Sequence, residues 1–382
     1  MLAEYYPRAD DPTLGIWAHR QTLAARAAGA DVRVLVLQRP LPPLSALRRG
    51  DLGAARRVLQ QPADAELDGV QIDYLRYLSP PRPWSYAHWG AWAAPVLRRA
   101  LRRIRAAFPF DLVHAHYAVP AGDATRRAAP LAPLVVSVHG GDVLGAHAGA
   151  GTIRSTFEHA RLVLANSAGT ARRCTALGAT RTRIVHLGTN PPAAPADTPG
   201  QPTLVTVGNL IARKRHADVI EAVALLAPAW PGLRYVIVGD GPEREALLAL
   251  AQARGVADRV ALTGRLEPAR AVAEARAGSL FVMPSVAEAF GVAYVEAMAA
   301  GVPAIGCAGE DGPEEIEAAG GGIELVTPGD PRALATVIDG LLRDPARRAA
   351  LSALARETVA REFTWERCGH ETVSAYEEVL RG

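Results

Sequence analysis

The sequence predicts an α/β protein made of two doubly wound domains, in which parallel strands are covered by helices on both faces. Short aliphatic and β-branched runs alternate with amphipathic segments along most of the chain. Continuous apolar strands joined by helical crossovers are typical of parallel sheets that are buried on both sides. The chain has 382 residues, and at roughly 150 residues a domain this length also predicts two domains.

The alternation is clearest in the second half of the chain. Its predicted strands are Leu204–Val207, Tyr235–Val238, Val260–Thr263, Leu280–Met283, Ala304–Gly306 and Ile323–Val326, and its predicted helices lie near 216–227, 243–254, 268–277, 291–300, 313–319 and 331–342. The first half repeats the pattern less regularly, with predicted strands at Val32–Leu37, Leu112–Ala115, Leu134–Val138, Leu162–Ala165 and Ile184–Val185. No short-period repeat occurs, which argues against a solenoid.

A proline-rich stretch separates the two halves. Residues 191–200 read Pro-Pro-Ala-Ala-Pro-Ala-Asp-Thr-Pro-Gly and follow neither helical nor strand periodicity. We therefore expect an N-terminal domain at 1–190, a linker at 191–202, a C-terminal domain at 203–360 and a last helix at 361–382. In doubly wound sheets, ligands bind beyond the carboxyl ends of the strands, so side chains placed there are the candidates for function.

Composition excludes several classes of protein. Apolar residues make up 49% and aromatic residues 5% of the chain, which favours an aliphatic core over disorder. No run of 18 apolar residues occurs, and the N-terminus lacks the order of a signal peptide, so we expect neither a spanning helix nor a leader. The three cysteines, Cys174, Cys307 and Cys368, are far apart and lack zinc spacing. We expect them to be buried, reduced thiols in a cytoplasmic protein.

Charge is distributed unevenly between the halves. Residues 1–190 hold 24 Arg against 13 acidic residues, a net charge of +11, and the remainder holds 18 basic against 26 acidic residues, a net charge of −8. This asymmetry predicts that the two halves meet different partners. Lys214 is the one lysine among 42 basic residues, so it is a candidate for a role that arginine cannot fill.

Two glutamates that follow the strand Leu280–Met283 give the strongest local signal. Glu288 falls in the loop after the strand, and Glu296 falls within the helix predicted at 291–300. Between Gly291 and Glu296 the helix rises about 7–8 Å, which would let the two carboxylates reach opposite ends of a diphosphate-linked ligand. The backbone N–H groups around 290–293 would hold a phosphate. The alternative is two solvated glutamates beside an ordinary helix.

Lys214 also follows a predicted strand, Leu204–Val207, and stands between Arg213 and Arg215. Three cations at the carboxyl edge of the sheet would neutralise a diphosphate leaving group, and the alternative is a solvated basic loop. Next along the chain, Gly239-Asp240-Gly241 begins like a dinucleotide fingerprint, but Arg244 occupies the third glycine position. This is weak support for a nicotinamide cofactor and indicates a tight turn, with Pro242 in the first turn of the next helix.

In the first half, His139-Gly-Gly-Asp142 follows the strand Leu134–Val138. His139 is a candidate hydrogen-bond donor to a ligand, which the two glycines would allow close to the backbone, and a purely structural histidine is the alternative. His114 and His116 share one face of a strand, but they are too few for a metal site without further ligands.

The segment 97–108 predicts a basic amphipathic helix, with Leu97, Leu101, Ile104 and Phe108 on one face and five arginines around the rest. Such a helix could lie on anionic lipid, and a helix that covers the sheet and exposes solvated arginines is the alternative. Nucleic acid is a weaker partner, because aromatic residues are not interleaved with the arginines.

Together these segments resemble the retaining GT-B glycosyltransferases of family 4, over nearly the whole chain and most strongly from about 203 to 330. The span from Glu288 to Glu296 matches the E-x7-E motif of that family, including the Phe-Gly within it. The resemblance implies two Rossmann-like domains that face each other across a cleft. The N-terminal domain would bind the acceptor and the C-terminal domain the nucleotide sugar, and we expect the last helix to cross back to the first domain.

The resemblance also implies a role for each matching residue. Glu288 and His139 would lie beside the donor sugar, Lys214 would hold the diphosphate, and Glu296 would bind the ribose hydroxyls. Phe290, Gly291 and Val292 would offer backbone amides to the sugar and diphosphate. The sequence departs from the family pattern in three places. Asn209 stands where the family usually has an arginine, for which Arg213 is a candidate substitute, and Leu14-Gly15 stands where the family has a Gly-Gly pair, which leaves Gly15 as the one flexible residue. The first strand is also shortened to Met1–Glu4.

The chemistry implied is transfer of a sugar from a UDP- or GDP-linked donor to a glycan or lipid-linked acceptor, with retention of configuration. No D-x-D motif occurs, so we expect no metal and no separate cofactor, since the cations of the loop stabilise the leaving diphosphate. The excess positive charge of the first half favours an anionic or membrane-linked acceptor. We expect a cytoplasmic protein with access to the inner face of the membrane. A nucleotide-sugar epimerase of the same fold and a non-catalytic nucleotide-sugar binding protein are the alternatives.

Overall fold

The computed structural model describes residues 1–9, 11–41, 61–144, 149–194 and 200–382, together with Gly53, Arg56, Val58 and Gln60. The chain forms two compact units. The first comprises Met1–His186 and Trp365–Gly382, and the second comprises Leu187–Thr364. The first unit thus ends four residues before the boundary placed at residue 190, and it includes the C-terminal helix. Part of the expected linker, residues 195–199, lies outside the described residues.

The first unit is built on an eight-stranded sheet in the order β3-β4-β2-β1-β5-β6-β7-β8. Its strands are β1 Leu2–Ala3, β2 Val34–Gln38, β3 Asp64–Leu67, β4 Val70–Arg76, β5 Val113–His116, β6 Leu134–Val138, β7 Leu162–Ala165 and β8 Thr182–Ile184. All neighbouring strands are parallel except β3 and β4. The strand order reverses between β1 and β5, which opens a crevice beyond the carboxyl ends of these two strands.

The helices of the first unit are α1 Ile16–Ala27, α2 Arg82–Ser85, α3 Trp89–Ala107, α4 Asp123–Ala128, α5 Ala150–His159, α6 Ala168–Ala176 and the C-terminal helix Trp365–Arg381. The C-terminal helix packs closely on α1, because a Cβ at Gly369 would lie 2.2 Å from the carbonyl oxygen of Ala24. The Gln21 side-chain amide also donates to the Thr372 hydroxyl over 3.1 Å. None of the described helices combines the length and hydropathy required to cross a membrane.

Helix α3 contains the amphipathic segment expected at 97–108. Leu97, Leu101 and Ile104 are buried in the core of the first unit, Phe108 is half-buried against it, and all five arginines are exposed. The apolar face therefore covers the sheet of its own unit and is not available to lipid. This agrees with the alternative interpretation, a helix that covers the sheet and exposes its arginines. The arginine-rich side remains open to a partner.

The hairpin β3–β4 was missed from the sequence, although its turn carries a clear signal. The two strands pair from Asp64–Asp73 to Leu67–Val70, and they are joined by Asp68 and Gly69, with φ angles of 49° and 73°. Positive φ at both central residues defines the type I′ turn, for which Asp-Gly is a preferred sequence. The antiparallel edge of the sheet follows from this turn.

The second unit is built on a six-stranded, fully parallel sheet in the order β11-β10-β9-β12-β13-β14. Its strands are β9 Thr203–Val207, β10 Arg234–Val238, β11 Val260–Gly264, β12 Leu280–Val282, β13 Ala304–Cys307 and β14 Ile323–Val326. Its helices are α7 His216–Leu226, α8 Arg244–Ala253, α9 Pro268–Arg276, α10 Val292–Met298, α11 Asp311–Gly320, α12 Pro331–Arg343 and α13 Pro345–Glu362. Every strand and helix predicted for 203–342 is present, with ends that differ by at most two residues. The α/β fold class is confirmed.

The three cysteines are free and buried, as expected. Burial raises the pKa of the Cys174, Cys307 and Cys368 thiols to about 12. Because the thiolate is the reactive form, these side chains act as small apolar residues of the core.

Candidate active site

The strongest candidate site lies where the strand order of the second sheet reverses, between β9 and β12. Lys214 ends a 3-10 turn that follows β9, and Glu288 lies in the loop that follows β12. Because β9 and β12 are adjacent and parallel, their carboxyl ends bring these two loops together. Ligands of doubly wound sheets bind at this position.

Lys214 and Glu288 form a buried ion pair. The Lys214 Nζ donates to Glu288 Oε2 over 2.5 Å, and the two residues are 9% and 8% exposed. The Ser285 hydroxyl donates to the same carboxylate oxygen over 3.0 Å, and Arg213 lies 3.6 Å from it. The structure thus brings Arg213, Lys214 and Glu288 into one cluster.

Glu288 is ionised in this cluster. Burial alone would raise the pKa of its carboxyl, but the positive charges of Lys214 and Arg213 and the hydrogen bonds from Lys214 and Ser285 outweigh burial and hold the pKa below its ordinary value. The Lys214 ammonium has three N–H donors, of which one goes to Glu288 and a second to the Met283 sulfur over 3.4 Å. The side chain of Arg213 is 43% exposed and also donates to the Ala287 carbonyl over 3.3 Å. The cluster therefore has the buried Glu288 carboxylate at its centre, with Lys214 and the partly exposed Arg213 beside it.

The backbone of Glu288 is held from both sides by the segment that follows β13. The Glu288 N–H donates to the Glu310 carboxylate over 2.9 Å, and the Gly312 N–H donates to the Glu288 carbonyl over 3.0 Å. Gly312 approaches so closely that a Cβ there would lie 2.2 Å from the Phe290 carbonyl oxygen. Neither Ser285 nor Glu310 was assigned a role from the sequence. Ser285 lies three residues before Glu288, whereas Glu310 lies 22 residues after it, so no local pattern connects Glu310 with the site.

Phe290, Gly291 and Val292 lead from this loop into α10. Gly291 has a φ of 86° and caps the helix, and a Cβ there would lie 2.5 Å from the Tyr294 ring, so glycine is required. The Phe290 side chain is buried against Phe363, with ring centroids 5.5 Å apart, so only its backbone could serve a ligand. The first N–H groups of a helix have no acceptor four residues back, and of those in α10 the Tyr294 N–H donates to the Gly291 carbonyl over 3.0 Å. Glu296 lies half-buried further along α10, and its carbonyl accepts from Arg276 over 3.1 Å.

The Gly-x-Gly turn after β10 has a packing role. A Cβ at Gly239 would lie 1.9 Å from the Gly208 carbonyl oxygen, and one at Gly241 would lie 2.5 Å from the Leu210 carbonyl oxygen. Both glycines therefore let the turn pack against the loop that carries Lys214. The following helix begins at Arg244, so Pro242 precedes its first turn and does not lie in it, contrary to our expectation.

In the first unit, His139 belongs to a row of three stacked histidines at the end of the sheet. The ring centroids of His114 and His116 are 4.7 Å apart, and those of His116 and His139 are 5.1 Å apart. The His116 Nδ1 and His139 Nε2 atoms share a hydrogen bond of 2.9 Å. Burial lowers the pKa of His139 to about 3, so its ring is neutral. The buried His139 Nδ1 has no hydrogen-bond partner among the described residues.

Asp142 and Gly15 lie near this row. Asp142 accepts from the Ala118 N–H over 3.0 Å, and burial raises its pKa to about 7. Gly15 has a φ of 64°, and a Cβ there would lie 2.2 Å from the Tyr5 carbonyl carbon. It begins α1, whose Trp17 ring lies 6.1 Å from the His139 ring. The Gly15 backbone is therefore fixed by close packing.

A second polar cluster, which sequence reasoning missed, lies in the crevice between β1 and β5. Glu4 follows β1, is 7% exposed and accepts from the Tyr86 hydroxyl over 2.9 Å. The Arg82 guanidinium lies 4.0 Å from the centre of the Tyr86 ring and donates to the Tyr5 hydroxyl. Burial raises the pKa of Glu4 despite the nearby Arg82. A buried carboxylate, a guanidinium and two phenols are thus grouped where the first sheet would bind a ligand.

Across the described residues, no group of three or more His, Cys, Asp and Glu side chains is arranged to hold a metal ion. The chemistry offered by the described sites is that of hydrogen bonds, one buried ion pair and the cations beside it.

Two family models match consecutive parts of the chain. Residues 15–192 match Glycosyltransferase Family 4, and residues 192–358 match Glycosyl transferases group 1. The 2-deoxystreptamine glucosyltransferase of Streptomyces kanamyceticus is 33% identical over 181 residues, which is 47% of this chain and 46% of that protein. A GDP-mannose-dependent monoacylated alpha-(1-6)-phosphatidylinositol monomannoside mannosyltransferase of Corynebacterium glutamicum is 34% identical over 176 residues, 44% of this chain and 45% of that protein. The matches thus span about half the length of these curated relatives.

Solved structures share the fold over nearly the whole chain. Sucrose-phosphate synthase from Thermosynechococcus elongatus superposes with a TM-score of 0.76 at 22% identity, covering 96% of this chain and 93% of that chain. The HepE protein of Anabaena, in complex with UDP and glucose, superposes with a TM-score of 0.72 at 19% identity, covering 98% and 99%. With the two family matches that together cover residues 15–358, the chain belongs to the GT-B glycosyltransferases.

Proposed function

We propose that the protein transfers a sugar from a UDP- or GDP-linked donor to a hydroxyl group of a glycan or lipid-linked acceptor, with retention of configuration and without a metal ion. The observation that carries this proposal is the buried Lys214–Glu288 pair at the point where the second sheet reverses its strand order. The arrangement fits a ligand with a doubly charged diphosphate next to a hydroxyl-rich sugar.

The cations of this cluster suit the leaving group. When the bond between the anomeric carbon and the diphosphate oxygen breaks, negative charge grows on that oxygen. Lys214 retains one N–H donor beyond those directed at Glu288 and the weakly accepting Met283 sulfur, and Arg213 stands at the open edge of the cluster. Fixed cations stabilise such charge without reorganisation during the reaction, which is the part that a metal ion plays elsewhere.

Each unit offers a side chain that suits a hydroxyl group of a ligand. In the second unit the ionised Glu288 carboxylate accepts hydrogen bonds, and in the first unit the neutral His139 ring keeps one nitrogen without a partner among the described residues. The one carboxylate of the cluster, Glu288, is ion-paired with Lys214, so it is not a free nucleophile. We therefore favour a same-side displacement, in which the acceptor oxygen bonds to the anomeric carbon on the face that the diphosphate leaves. The acceptor proton then passes to the departing phosphate oxygen.

The comparisons support a nucleotide-sugar donor. The HepE protein has been solved with UDP and with UDP-glucose, and the relative from Corynebacterium glutamicum is named as GDP-mannose-dependent. For the acceptor, the crevice of the first sheet offers the Glu4, Arg82 and Tyr86 cluster, which suits a hydroxyl-bearing molecule. Three buried free thiols are consistent with a cytoplasmic enzyme.

The test is nucleotide release from a panel of UDP- and GDP-sugars, with and without glycan and lipid-linked acceptors. We expect release from one nucleotide series, acceleration by an acceptor and no loss of rate with a chelator. NMR of the product should show the anomeric configuration of the donor. Inverted configuration would exclude the same-side displacement, and binding of a nucleotide sugar without any release would favour a non-catalytic binding protein.

A further inference from the structure

The exposed side of α3 is strongly cationic. The helix holds five arginines and no Asp or Glu in its 19 residues. Arg98, Arg102 and Arg105 are spaced four and three residues apart, so they form one stripe along the helix, and Arg99 lies beside that stripe. The charge of this side is therefore not balanced by acidic residues of the same helix.

The hydrogen bonds of these arginines leave their charge uncompensated. Arg98 donates to the carbonyls of Arg127 and Ala128, over 2.6 and 3.3 Å, and Arg105 donates to the carbonyl of Leu131 over 3.3 Å. Carbonyl oxygens carry no net charge. Arg99 and Arg102 are exposed and form no ion pair or hydrogen bond within the described part of the chain.

An apolar side chain stands beside this stripe. Leu131 projects from the connection between α4 and β6 and is 91% exposed, more than any other large hydrophobic side chain of the described residues. Pro130 and Pro133 restrict the backbone around it, and the hydrogen bond from Arg105 holds the segment against α3. A restrained aliphatic tip next to several guanidiniums combines the two contacts that bind a protein to the surface of an anionic bilayer.

We propose that this surface, which we call the arginine face and define as Arg98, Arg99, Arg102, Arg105 and Leu131, docks on a bilayer that contains anionic lipid. The guanidiniums meet the headgroup phosphates, and Leu131 enters between the headgroups. The apolar side of α3 stays in the core of the first unit, so the helix itself does not insert. Leu131 favours a bilayer over nucleic acid, because an aliphatic tip gains nothing from a phosphate backbone. The proposal stands independently of sugar transfer.

Binding of this kind is superficial and depends on salt. Each guanidinium near an anionic surface strengthens binding about fivefold, and added salt screens exposed charges over a short distance. The full-length protein should therefore sediment with vesicles of phosphatidylglycerol and phosphatidylcholine in equal parts at low salt. It should remain in the supernatant at high salt and with phosphatidylcholine alone.

Paired substitutions test whether this face is responsible. Arg99→Gln combined with Arg102→Gln removes two unpartnered charges and should lower the vesicle partition coefficient about 25-fold, at about fivefold for each arginine. Arg270→Gln combined with Arg332→Gln removes two exposed arginines of the second unit and should leave the partition coefficient unchanged. An equal loss in both double variants would mean that net charge alone drives binding, and the arginine face would be abandoned.

Leu131 is tested separately. Leu131→Cys, labelled with an environment-sensitive fluorophore, should shift to the blue on anionic vesicles, and Leu354→Cys in the second unit should not. The native cysteines are buried and should not compete for the label. Leu131→Ser should weaken binding and leave its salt dependence unchanged. Failure of the wild-type protein to sediment at low salt would overturn the proposal, as would binding to duplex DNA but not to vesicles.

Discussion

The backbone N–H of Glu288 donates to the carboxylate of Glu310, 22 residues further along the chain, over 2.9 Å. Ala287, just before Glu288, has a φ of 53°, a conformation that non-glycine residues adopt at a cost of about 1–3 kcal/mol. Glu310 and Gly312 clamp the backbone on either side of Glu288. We infer that Glu310 positions the Glu288 carboxylate against Lys214 without touching the substrate itself.

Glu310→Ala should therefore lower kcat, by up to about 100-fold if the carboxylate moves by an ångström, and should change the KM for the donor less. Glu310→Gln should retain most of the activity, because the amide oxygen still accepts from the Glu288 N–H. Glu317 is exposed on α11, the helix that begins directly after Glu310, so Glu317→Ala serves as the matched control. Steady-state nucleotide release measures all three, and an unaffected kcat in Glu310→Ala would refute the positioning role.

The Lys214–Glu288 pair links activity to stability. Lys214→Ala leaves a buried carboxylate without its partner, which typically costs about 3–5 kcal/mol in the free energy of unfolding. Lys214→Met combined with Glu288→Gln removes both charges and should recover most of that stability. Both variants should lose most of their nucleotide release, since each lacks the Lys214 ammonium and leaves Arg213 as the remaining cation of the cluster. Urea unfolding and nucleotide release separate the two effects.

If Lys214→Ala released nucleotide at a near-normal rate, Lys214 would have no role in stabilising the leaving group. If the double variant were as unstable as Lys214→Ala, the loss would come from packing around the lysine stem and not from the unpaired charge.

The strands and the two central residues of the site could be predicted from the sequence for a common reason. Parallel strands buried on both faces appear as continuous apolar runs, and each run points to the loop at its carboxyl end. Lys214 and Glu288 fall in such loops after β9 and β12. Lys214 is also the one lysine of the chain, which was a second, independent indication of its role.

Other parts of the site depend on contacts that leave no local pattern. Glu310 reaches Glu288 because β13 lies next to β12, and Glu4, Arg82 and Tyr86 meet only when the first sheet has formed. For the basic helix α3, the periodicity of the sequence identified the apolar face. It did not show whether that face packs on the sheet or on lipid. The Asp68-Gly69 turn could have been recognised from its sequence, and the hairpin β3–β4 with it.

Gly312 should not tolerate any side chain. A Cβ would lie 2.2 Å from the Phe290 carbonyl oxygen and 2.5 Å from its Cα, so Gly312→Ala must displace the turn that leads to Gly291. Overpacking of this kind typically costs about 1–3 kcal/mol, and the displaced turn should also weaken nucleotide binding. Gly232→Ala is the control, because no atom lies within 4 Å of the added methyl group. Urea unfolding and calorimetric titration with UDP and GDP measure both effects, and wild-type stability in Gly312→Ala would contradict the close contact.

Asp142 should make stability fall as the pH rises towards neutrality. Burial raises its pKa from 3.8 to about 7 in the folded protein, so the folded state holds this proton more tightly than the unfolded state does. The contribution is therefore fully present below about pH 4 and is lost as the pH rises through about 7. The buried histidines act in the opposite direction. Burial lowers the pKa of His139 to about 3, so its contribution is present above its ordinary pKa of 6.5 and is lost as the pH falls.

Asp142→Asn separates the two effects, because the amide oxygen can still accept from the Ala118 N–H while the side chain no longer titrates. Measured by urea unfolding from pH 4 to pH 8, the variant should gain stability relative to the wild-type protein as the pH rises. A tenfold difference in proton affinity between the folded and unfolded states corresponds to about 1.4 kcal/mol, so the gain should approach about 4 kcal/mol at neutral pH. A constant difference between the two proteins across this range would mean that Asp142 is ionised in the folded state throughout, with the His139 row accounting for all pH dependence at this edge of the sheet.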